Sequence, residues 1–501
     1  MIAKIYSASV FGLGAELIEV EADVTNGLPA TIVVGLPDTA VQESRERVKA
    51  AVKNSGCSYP STRVSVNLAP ADVPKLGTHF DLPIALAILL ASEQLAFDPA
   101  GKMFLGELSL DGQLRPVSGV LAAALRAKEL GFKELYVPEG NAAEAALVQE
   151  LAVYPVRYLG ELLRHLLGTN ILLPQENVPI AEILVNAAPA LDMKDIAGQE
   201  QAKRALEIAA AGGHNILLSG PPGSGKTLLA RAMAGLLPDL ALEEALELTK
   251  IYSIAGKLRG SLVSSRPVRS PHHTTSNVAL VGGGASPKPG EVTLSHRGIL
   301  FLDEFPEFPR NVLEALRQPL EDGVVTIARA SGSFTFPAKF TLVAAQNPCP
   351  CGFLGDNSKH CVCTPGQIFK YQKKISGPLL DRIDLHVEVP RLAYDKISEP
   401  AAGESSLDIK TRVRRAREIQ RRRFGTVKTN SEMDIVELRR FCRLQEAERQ
   451  VLKAAMQRYS FSGRSLHRIL KVARTIADLA GLEDISVDNL GEALMYRPKS
   501  E

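Results

Sequence analysis

Three short apolar runs that end in polar residues, the first leading into a glycine-rich loop, predict an α/β protein built on a parallel sheet. The first run, Asn215-Ile-Leu-Leu-Ser219, leads into Gly220-Pro221-Pro222-Gly223-Ser224-Gly225-Lys226-Thr227 and then the helix-forming Leu228-Leu229-Ala230-Arg231-Ala232-Met233. The second, Gly298-Ile-Leu-Phe-Leu302, ends in Asp303-Glu304, and the third, Phe340-Thr-Leu-Val-Ala-Ala345, ends in Gln346-Asn347-Pro348. Continuous apolar runs of this kind suit strands covered on both faces. Their polar ends are expected along the carboxyl edge of the sheet, where ligands of α/β proteins bind.

At 501 residues the chain exceeds one core and divides into two or three domains. Residues 1–168 alternate strands with helices: Ala30–Gly35, Arg63–Asn67 and Lys133–Pro138 read as strands, Thr39–Asn54 as an amphipathic helix and Leu82–Leu90 as an apolar one. Residues 169–190 carry prolines without a sustained period and read as a linker. The three strand runs lie in a block from 191 to 395, which includes a cysteine-rich loop at 349–363. From 396 to 501 the period is helical, interrupted by a second linker near 399–406.

Hydrophobic content of 45% and charged content of 23% are those of a globular protein, and no apolar run is long enough to span a bilayer. The N-terminus lacks the plan of a signal peptide, with Glu16, Glu19 and Glu21 following early, so a cytoplasmic, reducing location is expected. Six cysteines in that setting read as thiols or metal ligands rather than disulfides. A net charge of +2 restricts any nucleic-acid surface to a local patch.

The G-x-x-x-x-G-K-T loop between strand and helix is a phosphate-binding loop: its glycines turn backbone N–H groups toward phosphate oxygens at a helix N-terminus. Lys226 suits the β- and γ-phosphates, and the Thr227 hydroxyl suits Mg²⁺. Asp303 is placed to hold the same Mg²⁺, and Glu304 to polarise the attacking water as general base. The chain is therefore expected to bind and hydrolyse ATP. Asn347, beside the two carboxylates, reads either as a residue that orients that water or as a turn former before proline.

Cys349-Pro-Cys351 and Cys361-Val-Cys363 place four of the six cysteines in fifteen residues, consistent with a structural Cys₄ zinc site, although a redox pair or free thiols fit the spacing too. Cys57 and Cys442 stand apart and read as packing residues. His272-His273 reads as a polar pair in a loop. Leu280–Gly290, with Lys288, reads as a flexible segment with little to bury, flanked by Lys257, Arg259, Arg266, Arg269 and Arg297. Gly323–Phe336 alternates about an Ala-Ser-Gly turn and predicts a β-hairpin with Arg329 near its tip, placed for nucleic-acid backbone or as an edge-strand charge. Lys410–Phe424 is a basic helix with eight cations against Glu418, suited to a polyanion or an acidic partner.

Residues 191–501 resemble the AAA+ ATPases, specifically the clade of magnesium-chelatase subunit I and the MCM helicases. The resemblance puts Asn347 at sensor 1, and Arg382, in Gly377-Pro-Leu-Leu-Asp-Arg382, at the arginine finger. Arg464, with Arg468 as the alternative, falls at sensor 2, and Asp195–Gln199 resembles the segment lining the adenine pocket. It makes Arg259–His296 the helix-2 insert, with Lys288 toward the pore, and Gly323–Phe336 the presensor-1 hairpin, whose Arg329 would face DNA. Guanidinium groups suit the finger and sensor roles because their planar fork matches phosphate oxygens.

Residues 1–168 resemble the proteolytic domain of Lon-type proteases through Lys75–Leu82 and Gly106–Leu121. The positions of the Lon nucleophile and its activating lysine correspond to His79 and Leu121, which removes the hydroxyl and the base that acyl transfer needs. The whole order resembles the ComM/YifB family of magnesium-chelatase-like AAA+ proteins: a degenerate Lon-like α+β domain, a parallel-sheet ATPase core with helix-2 and presensor-1 inserts, and a C-terminal helical lid. The resemblance implies a homo-hexameric ring that moves single-stranded or branched DNA, a helicase promoting branch migration of recombination intermediates in natural transformation. The alternative is a protein-remodelling or chelatase-type ATPase acting on a polypeptide.

Overall fold

The computed structural model describes residues 2–177, 191–284, 287–329, 332–356, 359–392, 403–459 and 461–498. The linker expected over 169–190 lies outside these from residue 178 on, as do residues 399–402 of the second linker. The N-terminal part contains β1 (Ala3–Phe11), β2 (Gly14–Thr25), β3 (Ala30–Val34), β4 (Arg63–Ala69), β5 (Lys102–Phe104), the short ladder of β6 (Glu107–Leu108) with β7 (Leu114–Arg115), β8 (Glu134–Pro138) and β9 (Ala152–Val156). Seven of these strands form one mixed sheet in the order β3-β4-β2-β1-β5-β8-β9. The helix Thr39–Asn54 begins on Asp38, whose carboxylate accepts the Val41 N–H at 2.8 Å. The wholly apolar run from Leu82 becomes the buried helix Asp81–Ala91.

The second sheet is parallel throughout, in the order β11-β14-β17-β10-β18, from β10 (Ile216–Ser219), β11 (Val268–Arg269), β14 (Ile299–Leu302), β17 (Thr341–Gln346) and β18 (Leu385–Glu388). Between β11 and β17 lie two antiparallel ladders, β12 (Gly282–Gly283) with β13 (Lys288–Pro289) and β15 (Val324–Arg329) with β16 (Gly332–Pro337). The five-stranded sheet is covered on both faces, as its unbroken apolar runs require. Ile216, Leu218, Ile299, Phe301, Val343 and Ala345 share a core with the C-terminal helices. Their neighbours Leu217, Leu300, Leu302, Leu342 and Ala344 pack on the other face with the β15–β16 hairpin.

The domains share a core as well. Val120–Glu129 packs on Leu242–Ile254, with Leu121, Ala124, Leu240, Ala245 and Leu248 in one apolar cluster. The Gly119 N–H donates to Ser253 Oγ at 3.0 Å across this joint. Phe11, at the end of β1, stacks at 4.4 Å on Phe334 of the hairpin.

Two expectations are overturned. The described residues of the segment 280–290 do pack. Leu280 lies in a short helix, Asn277–Val281, and is fully buried, and the glycines that follow pair with Lys288 and Pro289 as the β12–β13 ladder. The glycines serve close backbone approach rather than flexibility: a Cβ at Gly290 would come 2.3 Å from the Gly282 nitrogen. The basic helix, observed as Ser406–Phe424, is not a free cationic face either. Six of its eight cations have partners inside the protein: Lys410 and Arg414 pair with Asp239, Arg412 with Glu207 and Glu404, and Arg422 with Glu418. Arg417 donates to the Ala210 carbonyl, and Arg423 pairs with Asp478.

Asp478 is the centre of the C-terminal helical block. Its buried carboxylate accepts hydrogen bonds from Arg423, from Arg474 Nε at 3.1 Å and from Asn430 Nδ2 at 2.7 Å. Removing one member of a buried ion network strands the others without water. Asp478→Ala is expected to destabilise the C-terminal block by about 3–5 kcal/mol, read as a lower melting temperature of that transition, with Arg422→Ala on the exposed face nearly neutral.

Candidate ATPase site

Strand register assembles the site. Ser219 lies opposite Gln346, and Leu302 opposite Ala344, so Gly220, Asp303 and Asn347 leave the sheet along one carboxyl edge. Gly220 meets the backbone of the strand end beside it: a Cβ there would sit 2.1 Å from the Val389 carbonyl oxygen, so no other residue fits. Gly223 and Gly225 hold left-handed φ values of 77° and 92°, which turn the loop into the helix that starts at Lys226.

The Lys226 ammonium is nearly buried. It donates to the carbonyls of Gly220 (2.7 Å) and Pro221 (2.8 Å), and to Asn347 Oδ1 at 3.3 Å. Burial pushes its pKa down, opposed by the nearby Asp303 carboxylate. Thr227 Oγ1 donates to Asp303 Oδ2 at 2.8 Å. Two hard oxygen donors thus meet at the lip of the loop, a donor set that suits magnesium, which would there neutralise charge on the phosphates. Glu304 follows with φ of 50°, its carboxylate more than half exposed and 3.2 Å from His273 Nδ1. Gln199, also left-handed at φ 61°, donates to the Pro390 carbonyl at 2.7 Å and to Ser224 O at 3.3 Å, tying the Asp195–Gln199 segment to the phosphate loop.

Arg382 and Arg464 are elsewhere. Arg382 precedes β18, and its carbonyl accepts from Asn215 Nδ2 at 3.2 Å, at the amino edge of the sheet. A four-residue strand is about 13 Å long, so Arg382 is separated by the length of a strand from the phosphate loop of its own chain. Its guanidinium pairs with Glu321 and donates to the Pro378 carbonyl at 2.6 Å. Arg464, two-thirds exposed, lies 3.6 Å from the other oxygen of Glu321. The two arginines therefore share one acidic partner. Arg468 instead pairs with buried Asp384. Burial alone would raise that carboxyl, but Arg468 and His214 hold it well below the usual carboxylate range. A cavity of about 520 Å³ opens at this edge, lined in part by Asn215, Glu321, Asp384, Arg468 and Lys471, and holds none of the phosphate-loop residues.

The four clustered thiols converge. Sγ of Cys349 lies 3.4 Å from Cys351 and 3.6 Å from Cys361, and all four ligand atoms, Cys363 included, fall within 4.8 Å of one another. A tetrahedron with Zn–S bonds of about 2.3 Å has S–S edges of about 3.8 Å. The Phe353 and Val362 backbone N–H groups pull the Cys351 thiol down to about 6, toward the thiolate that binds metal. The same loop touches the phosphate loop: a Cβ on Gly352 would come 2.6 Å from Pro222 Cδ. Cys442 is buried, its thiol pushed up to about 12 by burial.

The insert and the hairpin are packed together. A Cβ at Gly282 would lie 3.2 Å from Ile327 Cδ1, and Leu280, Ile327 and Phe334 share a core. Lys288 is exposed on β13. The backbone of Arg329 ends β15, and its side chain lies outside the described residues. Of the cations flanking the insert, Lys257 and Arg269 pair with Glu291, Arg266 with Glu244, and Arg297 with Glu247. In the N-terminal domain, His79 is buried against Phe80 and pushed down to about 4 by burial, while buried Leu121 gives its N–H to Glu144 at 2.8 Å. Neither position offers a hydroxyl nucleophile or a lysine.

Sequence reasoning missed the Glu304–His273 contact and the acidic partner that Arg382 and Arg464 share. A two-residue strand, β11, carries too little pattern to show that the His-His loop ends beside Asp303-Glu304. Glu304→Gln is expected to lower the kcat of ATP hydrolysis about 10²–10⁴-fold while nucleotide still binds, and Gly220→Ala to abolish nucleotide binding; fluorescent-nucleotide titration beside phosphate release distinguishes the two.

The family model described as magnesium chelatase, subunit ChlI, matches residues 192–397, with the ChlI subunit of Mg-chelatase matching 20–141 and the ChlI C-terminal part 403–497. Competence protein ComM of Haemophilus influenzae is 44% identical over 506 residues, covering 99% of this chain and 97% of its own. YifB of Salmonella typhimurium is 43% identical over 499 residues, with the same coverage. Lon protease 1 of Myxococcus xanthus is 24% identical over 167 residues, 31% of this chain and 20% of its own.

Proposed function

Since the chain belongs to the ComM/YifB family of magnesium-chelatase-like AAA+ proteins, and so is an ATPase, we propose that it is a ring-forming DNA motor, a helicase that drives branch migration of recombination intermediates. The observation that carries this reading is the joint packing of the two inserts, one of them presenting exposed Lys288, on the same core as the Asp303-Glu304 strand. A cation on a short ladder engages backbone phosphate without reading bases. The competence role in the name of the Haemophilus relative supports DNA taken up in natural transformation as the substrate.

In this reading the Lon-like domain (1–168), a linker (169–190), the ATPase core (191–395) and the lid (396–501) form one subunit of a cytoplasmic homo-hexamer. Lys226, Thr227, Asp303, Glu304 and Asn347 work on the nucleotide of their own chain. Arg382 and Arg464, at the opposite edge, work on a neighbour's, with Glu321 holding both until phosphate replaces it. Two defective variants should then complement. Mixing Lys226→Ala with Arg382→Ala is expected to restore about a quarter of wild-type turnover, since a ring interface joins a loop from one subunit to a finger from the next. Inactivity of every mixture would exclude action between subunits.

The four cysteines are proposed to hold zinc, which would stiffen the loop between Asn347 and Gly352 against Pro222. Purified protein is expected to carry one zinc per chain by atomic absorption, and Cys361→Ser with Cys363→Ser to lose the metal and weaken ATP binding. Metal-free wild-type protein with unchanged nucleotide affinity would remove both the ion and its role.

ATP turnover with and without single-stranded and forked DNA tests the motor. DNA is expected to stimulate turnover and forks to be unwound, with Lys226→Ala and Glu304→Gln inactive in both assays. Neither stimulation nor strand displacement in wild type would overturn the reading and return attention to a polypeptide substrate.

A further inference from the structure

The cavity of about 520 Å³ at the amino edge of the five-stranded sheet is lined by cations from both the ATPase core and the C-terminal helices. Most are neutralised where they stand. Arg266 pairs with Glu244, Arg297 with Glu247, Lys339 with Glu432, Lys428 with Glu437 and Arg468 with Asp384. Lys471 and Arg417 are not. Lys471 gives its ammonium to the Ser431 carbonyl at 2.8 Å, and Arg417 gives Nε and Nη2 to the Ala210 carbonyl at 3.2 and 2.9 Å. Among the described residues, neither has a carboxylate within ion-pair distance. Burial pushes the Lys471 ammonium down and takes the Arg417 guanidinium down to about 10. A cation drawn out of bulk water without a counter-charge costs stability, and folded proteins pair such groups or bind an ion to them.

A second cavity of about 340 Å³ adjoins the first and shares with it Glu244, Arg266, Arg417, Val427 and Lys428. Arg417 therefore stands on the wall common to both. The second cavity adds Arg421, one turn further along the basic helix, which is exposed and has no ion partner among the described residues. Three cations without a carboxylate thus line one pair of cavities. Hydroxyls join them: Thr429 and Ser431 line the larger cavity beside Gly213, whose φ is 70°. A Cβ at Gly213 would lie 2.8 Å from Thr429 Oγ1 and 3.1 Å from Ser431 Oγ, so glycine keeps both hydroxyls uncovered. Two guanidinium forks, an ammonium and two hydroxyls make a donor set that matches phosphate oxygens. Cavities of about 300–1,000 Å³ suit small ligands rather than polymers.

We propose that the adjoining cavities are a second phosphate site, separate from the phosphate loop, which takes a small phosphorylated ligand among Arg417, Arg421 and Lys471. The ligand bridges Gly298, just before β14, and Thr341, at the start of β17, to the helical block around Thr429 and Ser431. It lies beside Glu321, the carboxylate that holds Arg382 and Arg464. Occupancy pins the C-terminal helices to the core at that edge. The site does not depend on the DNA-motor reading.

The test takes the full chain carrying Lys226→Ala, which removes the ammonium of the phosphate loop, and titrates it calorimetrically with inorganic pyrophosphate. One site per chain is expected. Adding Lys471→Ala or Arg417→Gln is expected to weaken the affinity about tenfold or more, the order of one hydrogen bond to a charged group, while Lys471→Arg keeps it near the parent's. Arg417→Gln also takes a donor from the Ala210 carbonyl, so each variant's melting temperature is read beside its affinity, and Lys471→Ala decides the matter if Arg417→Gln unfolds. A nucleoside diphosphate is titrated in parallel. Equal affinities assign the site to a free oxyanion and tighter binding of the nucleotide assigns it to a nucleotide, and both support it. No binding by the Lys226→Ala parent, or binding that Lys471→Ala leaves unchanged, overturns the site. A single-stranded oligonucleotide that binds where pyrophosphate does not, with an affinity that falls in Lys471→Ala, overturns the small ligand in favour of a nucleic-acid backbone.

Discussion

Asn215 and Asp384 fix the register on which the ATPase module depends. Asn215 Oδ1 accepts the Leu342 N–H at 2.8 Å, its amide donates to the Arg382 carbonyl, and its own carbonyl accepts from Asp384 and Leu385 at 3.0 Å. One side chain thereby ties the starts of β17, β10 and β18. Asp384 adds the Asn215 N–H at 3.2 Å, His214 and Arg468, which joins the C-terminal helices to the same point. Register is what brings Gly220, Asp303 and Asn347 out level at the far edge. In a parallel sheet a slip of one residue would send each side chain to the wrong face. The chemistry at the carboxyl edge is thus set by polar contacts at the amino edge, where buried groups must find partners or lose stability.

The N-terminal domain is bound into the same body. Its position for a protease lysine is taken by Leu121, whose N–H serves Glu144, and Glu144 is also hydrogen-bonded by Ser253 from the ATPase module. Ser253 accepts the Gly119 N–H as well. Part of the segment that carries the Lon resemblance has become a joint between domains, sealed by the apolar cluster around Leu121, Ala245 and Leu248. Phe11 on Phe334 makes a second contact, with the hairpin itself. An N-terminal domain attached to the ATPase module at two points, through Leu242–Ile254 and through the hairpin, is part of its frame rather than a tethered accessory.

Much of this was legible in the sequence because it is written in local pattern. Apolar runs ending in Gly220, Asp303 and Asn347 are strands whatever their neighbours, and the phosphate loop carries its own geometry. The helix Thr39–Asn54 has its cap and period within one stretch. What could not be read depends on residues far apart. Lys410–Phe424 looks like a cationic surface until Glu207, Asp239 and Asp478 arrive from as many as 205 residues away, and no periodicity reports that. Leu280 lies in a glycine-rich stretch and is buried by residues that come later in the chain, Val292, Phe305, Val312 and Ile327 among them. His273 reads as a polar loop residue because the strand that delivers it is two residues long.

The contact between Gly220 and Val389 has a mechanical side. Strand β18 is a stiff element of four residues, with Arg382 just before it and Val389 just beyond it, pressed against the phosphate loop at a distance that admits no side chain. A shift of the Val389 end of β18 toward Gly220 would meet backbone at once, so the strand end and the phosphate loop constrain each other's position.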